Sequence, residues 1–381
     1  MDSRPDFILL EGMMEAEKRY VGLDLAKRTM EVCVVQDGTS GVERASGMKT
    51  DGKGRERLAR RLRKSDVVGM EACAYAFLLA RYLQREAGCT VYILNPGKLR
   101  MIWQSTKKTD KEDALKIAKF IQRYPAEELP LVSLPTEGEE ELRQLVSMKQ
   151  FLVKTRTALI NRLRALYALA GETGLKKKDL ARGARREMLR GLPRNGALML
   201  IGESIERELG VVEEELAVFR EKIAGMVRES EIAPYIMSIP GVGPALAAAF
   251  IAYVGDGDRF GRAGEVANYA GLTPVLDCSG ETERYGHIRR GGCRALRSVV
   301  LQSAWAVSRS GSGGRLKEKF MALSGRMSKT KSAVAIARRM VVLMWVLARR
   351  RQMYADIAGS ELAKKFRYYQ LAGWESLLQA S

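Results

Sequence analysis

The sequence predicts an α/β domain at the N-terminus followed by a longer, mainly α-helical remainder. Three observations carry that expectation. Short apolar runs alternate with helical patterns before residue 125, leucines recur at heptad spacing through the middle, and long amphipathic runs close the chain.

In order, residues 20–26, 30–36 and 42–48 read as strands, with Asp37-Gly38 as the turn after the second. A helix follows at 55–63, a strand at 66–70, a helix at 75–87, a strand at 90–94 and a helix at 110–123. Three strands in a meander, then alternating helices and strands, is the order of a ribonuclease-H-like domain, bounded at 19–125. Pro125, Pro130 and Pro135 lie among acids at 124–138 and mark a linker.

Residues 137–230 read as a helical coiled-coil arm. Leu145, Leu152, Leu159 and Leu166 recur every seven residues, and Ile205, Leu209, Val212, Leu216, Phe219, Ile223 and Met226 alternate in fours and threes. A basic stretch with Lys176, Lys177, Lys178, Arg182, Arg185 and Arg186 separates the two halves. Either a closed antiparallel hairpin or a dimerisation arm satisfies this pattern. A third domain, 231–351, opens on Ile239-Pro240-Gly241-Val242-Gly243-Pro244 and leads into a helix. Loop signals dominate 255–292 apart from a helix at 263–270; helices at 294–308 and 329–351 follow, and 352–381 reads as a tail. The Pro240–Pro244 turn is either an ordinary tight turn or a helix-hairpin-helix whose amides, Gly241 and Gly243 among them, grip a nucleic-acid backbone.

A formal net charge of +19 over 381 residues implies a polyanionic partner, with nucleic acid the default. The most apolar stretch, 332–348, is short for a bilayer and carries Arg338 and Arg339, so no membrane span is expected. Acids near the N-terminus and five cysteines without a C-x-x-C pair suit a reduced cytoplasmic protein. A single histidine, His287, excludes zinc fingers, H-E-x-x-H sites and paired-histidine nucleases; no P-loop is present.

The chemistry-bearing residues are acids. Asp24 alternates with Val21, Leu23 and Leu25, so it faces the side opposite those apolar residues, flanked by Gly22 and Ala26. Glu71 ends the fourth strand. Asp110 and Asp113 share a helix face at i,i+3, while Thr109 and Glu112 form a capping box between them. Four carboxylates on three segments are the hard oxygen ligands that Mg²⁺ or Mn²⁺ prefers. Lys107 and Lys108 precede the third segment, suited to a phosphate backbone.

These residues resemble those of the insertion-sequence 110 family of transposases, which includes Piv-type DNA invertases and bridge-RNA-guided recombinases. The resemblance runs from about Tyr20 to Arg351. The Asp-Glu-Asp-Asp set of the family's RuvC-like domain matches Asp24, Glu71, Asp110 and Asp113. Its C-terminal signature matches Pro240–Pro244, Gly271-Leu272-Thr273-Pro274, Ser279-Gly280, Ile288-Arg289-Arg290-Gly291 and Leu296-Arg297. Two departures stand out: Arg290 replaces a common lysine, and Cys278, itself a potential nucleophile, precedes the serine.

The resemblance implies that Ser279 is a nucleophile forming a 5′-phosphoserine with DNA. Arg284, Arg289, Arg290, Arg294 and Arg297 lie close in sequence and can stabilise phosphorane charge. It further implies donor and target double-stranded DNA, a structured bridge RNA, and a homo-oligomer running from dimer to tetramer. His287 is either a general base, a DNA contact or plain loop surface. Two rival readings are a RuvC-type junction nuclease, in which metal-activated water attacks, and a basic architectural protein.

Overall fold

A computed structural model describes residues 18–37, 41–102, 110–181, 196–279, 282–288, 291–371 and 373–379. It divides into two compact units, Met1–Pro135 and Thr136–Ser381.

The first unit is built on a five-stranded sheet of order β3-β2-β1-β4-β5. Its strands are β1 (Arg19–Leu25), β2 (Thr29–Gln36), β3 (Val42–Lys49), β4 (Val67–Glu71) and β5 (Thr90–Leu94). β1 is antiparallel to β2 and parallel to β4, which is parallel to β5. The helices are α1 (Gly52–Ala59), α2 (Ala74–Glu86), α3 (Pro96–Ile102) and α4 (Asp110–Arg123). The strict alternation of a strand decides which layer each residue joins. Val21, Leu23, Val68, Met70 and Ile93 pack with Leu58 of α1 and Leu79 and Leu83 of α2. Tyr20, Val67 and Leu94 face the other way and pack with Ile117, Phe120 and Ile121 of α4.

One buried ion pair fastens the start of this sheet. Arg19 grips Asp66 through Nε to Oδ1 at 2.9 Å and Nη2 to Oδ2 at 2.6 Å. The Asp66 side chain is wholly inaccessible, and it also accepts from the Arg63 amide at 2.8 Å. Arg19 additionally donates to the Arg61 carbonyl at 3.1 Å. Every strong donor around that carboxylate is therefore local to the β1 and β4 entry, which makes the burial tolerable.

The proline-rich stretch expected to be a linker docks instead on the edge of the sheet. The Val132 amide donates to the Ile93 carbonyl at 2.7 Å, the Asn95 amide to Pro130 at 2.8 Å, and Arg81 to Pro135 at 2.6 Å. Prolines lack an amide but keep an acceptor, so such a segment can cover an edge strand without extending the sheet. Helix α3 was absent from the sequence expectation. Asn95 caps it, accepting from the Gly97 and Lys98 amides at 3.0 and 3.3 Å.

The second unit begins with α5 (Glu137–Leu169), started by a reciprocal capping box between Thr136 and Glu139. After α6 (Lys177–Leu180) comes α7 (Gly196–Arg228). The two long helices are antiparallel: Lys222 meets Glu141 at 3.3 Å, Arg156 meets Glu213 at 2.7 Å, and Tyr167 meets Glu206 at 3.4 Å. Leu209 packs with Leu159, Leu163 and Tyr167, and both Leu209 and Leu216 have no exposed surface. The heptad leucines thus close a hairpin within one chain and do not form a seam for a partner. Residues 182–195, with Arg182, Arg185 and Arg186 of the basic stretch, lie outside the described residues.

Beyond the hairpin are α8 (Ala233–Met237), α9 (Pro244–Val254), α10 (Ala263–Tyr269), β6 (Pro274–Ser279), β7 (Thr282–Ile288), α11 (Arg294–Arg309), α12 (Gly314–Ser324), α13 (Lys329–Arg350), α14 (Gly359–Tyr369) and α15 (Trp374–Gln379). The apolar face of α13 (Ile336, Met340, Met344) and the nearly all-apolar α9 form the centre of this core. Two expectations are corrected here. Pro274–Ser279 and Thr282–Ile288 form an antiparallel two-stranded ribbon where loop was expected; such a ribbon needs no buried alternating face, so its Gly, Pro and charged residues hid it. Residues after 351 are not a loose tail. Leu362, Phe366, Leu371 and Trp374 are buried in the main core of this unit, Leu362 and Phe366 one helical turn apart.

Candidate active site

Two glycines let the strands that carry Asp24 and Glu71 pack closely beneath the helix that carries Asp113. β1 and β4 run in parallel register with Gly22 opposite Gly69 and Leu23 opposite Met70, so Asp24 and Glu71 stand next on the same sheet face at adjacent strand ends. On this face α4 lies against backbone. A Cβ on Gly22 would overlap the Ala114 carbonyl oxygen and stand 2.5 Å from the Ala118 nitrogen; one on Gly69 would stand 3.0 Å from Ile117 and Ile121. Ala114 thus sits over Gly22, while Ile121 packs with Tyr20 and Val67 at the opposite strand ends. α4 therefore runs back across the sheet, and its first turn lies at the end that carries Asp24 and Glu71.

That first turn begins at Asp110 and includes Asp113. Asp113 is half-buried and accepts from Lys116 Nζ at 2.9 Å. Asp24 and Glu71 are also partly buried. The register adds an acid the sequence reading did not single out: Glu31 of β2 pairs with Asp24, and its Oε1 accepts from the Gly47 amide at 2.9 Å. Only strand pairing could reveal it. Among the described residues no three His, Cys, Asp or Glu side chains gather tightly enough to hold a metal. The Asp110 side chain, Lys107, Lys108 and Thr109 lie outside the described residues. Carboxylate oxygens are the donor type that a hard cation such as Mg²⁺ or Mn²⁺ prefers.

In the second unit, Ser279 ends β6 and pairs in register with Thr282, the first residue of β7, across Gly280-Glu281. The tip of a two-stranded ribbon is thereby its position. Asp277 pairs with Arg284 and Cys278 with Glu283. The side chains of Cys278, Ser279 and Arg284, and residues Arg289 and Arg290 entirely, lie outside the described residues. His287 is on β7 and exposed.

The base of the ribbon is tied shut. Gly271 has φ +68°, Gly292 has φ +84°, and a Cβ on Gly292 would stand 2.6 Å from the Gly271 nitrogen. Arg297 Nη1 donates to the Gly291 carbonyl at 2.7 Å and to Gly271 at 3.4 Å. Arg297 thus clamps the entry of the ribbon to its exit. Arg294, at the start of α11, is exposed. The Pro240–Pro244 turn joins α8 to α9, an arrangement that an ordinary tight turn and a helix-hairpin-helix share. Gly241, at φ +76°, packs against Val307 and the Ser303 carbonyl, and Gly243 caps α9. Lys365 of α14 stiffens the approach, donating to the Met237 and Ile239 carbonyls at 2.5 and 2.9 Å. Burial pushes its ammonium down to about 8.

Comparison with known proteins gives this arrangement a class. Residues 21–170, covering the sheet, its carboxylates and α5, match the DEDD_Tnp_IS110 model, described as a transposase. That match makes the N-terminal region a DEDD transposase domain, part of an enzyme that acts on DNA. Residues 233–320 match the model of the Transposase IS116/IS110/IS902 family. The chain belongs to that IS110/IS116/IS902 family of insertion-sequence transposases.

Full-length relatives agree. The chain is 27% identical over 356 residues to the transposase for insertion sequence element IS1111A of Coxiella burnetii, covering 88% of this chain and 91% of the relative. It is 28% identical over 354 residues to a probable family 20 transposase of Pseudomonas aeruginosa, covering 88% and 98%. An IS110 protein of Streptomyces coelicolor is 27% identical, covering 73% and 81%. No helix among the described residues is long and apolar enough to cross a membrane.

Proposed function

We propose that this transposase cuts and rejoins DNA through a covalent 5′-phosphoserine at Ser279, with Mg²⁺ or Mn²⁺ bound by Asp24, Glu71, Asp110 and Asp113. What supports the reading is the in-register pairing that brings Asp24 and Glu71 to adjacent strand ends beneath the first turn of α4. The metal supplies charge neutralisation at a phosphate and stabilises attacking and leaving oxygens.

The chain's own residues do the rest. The Ser279 oxygen forms a bond to phosphorus, the bond from phosphorus to the 3′ oxygen breaks, and the hydroxyl proton ends on the departing 3′-OH. Attack by a 3′-OH from another strand reverses the step and frees the serine, so no ATP is consumed. A ribbon tip suits this task, because only the clamped base at Arg297 needs to be rigid. Arg284, Arg289, Arg290 and Arg294 offset the charge that develops on phosphorus, and Lys107, Lys108 and the Gly241–Gly243 amides bind backbone phosphates. Base reading falls to a structured bridge RNA that pairs with donor and target duplexes, and the protein works as a dimer or tetramer whose contacts lie outside the closed Leu209–Leu216 seam.

The test is Asp24→Asn and Glu71→Gln in the full chain. Each abolishes Mg²⁺-dependent strand cleavage while circular dichroism stays native. Unimpaired cleavage by either variant, or by the wild type in EDTA, removes the metal site from the mechanism.

A further inference from the structure

A cleft of about 670 Å³ in the second unit holds cations that its fold does not use. It is lined by Lys149 of α5, Arg220 of α7, Ala245 in the first turn of α9, and Tyr368 and Tyr369 at the end of α14. The antiparallel pairing of α5 and α7 shows why these cations are unusual. At Arg156 and Glu213 the helices exchange an ion pair at 2.7 Å. Seven residues along each helix, two turns away, the facing residues are Lys149 and Arg220. Here two positive charges replace the expected pair, and neither has a hydrogen bond or ion pair to any described residue. Glu221, the acid on this wall, is engaged by Arg228 at 2.6 Å.

Two other features of the cleft suit a polyanion carrying flat rings. The first turn of α9 presents helix N-terminal amides, which favour negative charge. Tyr368 is 79% exposed, held edge-to-face on Tyr369 with ring centroids 4.9 Å apart. Tyr369 is fixed in turn, its hydroxyl 3.3 Å from where a Cβ on Gly243 would stand. A large exposed ring braced from behind is a stacking surface, and a duplex offers it no base face.

We propose that this cleft binds a single-stranded nucleic-acid segment, seating a phosphate between Lys149 and Arg220 and stacking a base on Tyr368. Burial, and then Arg220, hold the Lys149 ammonium below the usual lysine range, and a phosphate relieves the repulsion between the two cations. The residues that line the cleft include neither the carboxylates nor Ser279, and the proposal rests on the proposed function only for the class of polymer handled.

The experiment uses the full chain in EDTA, with fluorescein-labelled oligothymidylate, oligouridylate and a duplex, read by anisotropy across a salt series. Lys149→Gln/Arg220→Gln weakens single-strand binding about ten-fold and reduces the salt slope by about 0.7, the value for one phosphate contact on a single strand. Tyr368→Ala weakens single-strand binding about ten-fold, leaves duplex binding unchanged, and Tyr368→Phe restores it. Loss confined to one oligomer assigns the site to RNA or to DNA. Wild-type single-strand affinity and slope in the double variant overturn the proposal, as does an equal loss of duplex and single strand in Tyr368→Ala. Because no metal is present, the outcome is independent of whether the carboxylates or Ser279 cut DNA.

Discussion

Replacing Gly22 by alanine tests how the carboxylates are brought together. A Cβ at this position overlaps the Ala114 carbonyl and stands 2.5 Å from the Ala118 nitrogen, whereas ordinary contact begins near 3.4 Å. Both obstacles are helix backbone, so no side-chain rotation relieves them, and α4 must retreat by about 1 Å. Overpacking of this kind costs about 1–3 kcal/mol, and a displacement of about 1 Å at reacting groups costs about 100-fold in rate. Gly22→Ala is therefore expected to lower unfolding free energy in urea by about 3 kcal/mol and to slow Mg²⁺-dependent cleavage about 100-fold. Gly210→Ala is the control: it lies inside α7 with nothing within 4 Å of an added Cβ, and helix propensity alone gives it up to about 1 kcal/mol of added stability. Gly22→Ala with wild-type stability and cleavage rate refutes the close-packing argument.

Asp66→Ala strands Arg19 beside a hydrophobic sheet end and is expected to cost about 3–5 kcal/mol in urea denaturation; a loss below 1 kcal/mol contradicts a buried pair. Leu209→Ala or Leu216→Ala is expected to cost about 2–5 kcal/mol in the same assay, because both fill the hairpin seam of one chain; unchanged stability with a smaller oligomer by light scattering contradicts that assignment. Lys365 titrates near 8 when folded against 10.5 for an ordinary lysine, so between these pH values the unfolded chain binds more protons and stability rises with pH. Lys365→Met removes that rise; parallel stability curves for the two proteins between pH 8 and 10.5 contradict the buried ammonium.

Much of the first unit was legible in sequence because its signals are local. The helix at 110–123 and the strand at 90–94 agree with their observed bounds, since Ala114, Ile117, Ala118 and Ile121 keep helical spacing and the strand is a short apolar run. Asp24, Glu71, Asp110 and Asp113 were legible as a set by order and resemblance. The placement of α4 was not, because it depends on Gly22 accepting helix backbone and Gly69 accepting the Ile117 and Ile121 side chains. Glu31 and the Arg19–Asp66 pair were invisible for the same reason, their partners being set by strand register or lying 47 residues away. Asn95-Pro96 was a readable helix start that the short length of α3 concealed. The segment after residue 351 reads as tail because Lys364, Lys365 and Arg367 dominate it, although Leu362, Phe366 and Tyr369 keep a helical spacing. Ser279 was legible only through its motif, since a serine before a glycine carries no chemistry of its own.

In the proposed mechanism Ser279 becomes joined to DNA. The measurement is a suicide substrate that sheds the free strand end, incubated with the full chain, the bridge RNA proposed for it and Mg²⁺, and followed by peptide mapping of any covalent adduct. The proposed mechanism predicts an adduct at Ser279 that withstands reductant, persists in Cys278→Ser, and disappears in Ser279→Ala and in EDTA. Cleavage at the same phosphate by Ser279→Ala in Mg²⁺ contradicts it, because water is then the nucleophile and the enzyme works as a RuvC-like nuclease.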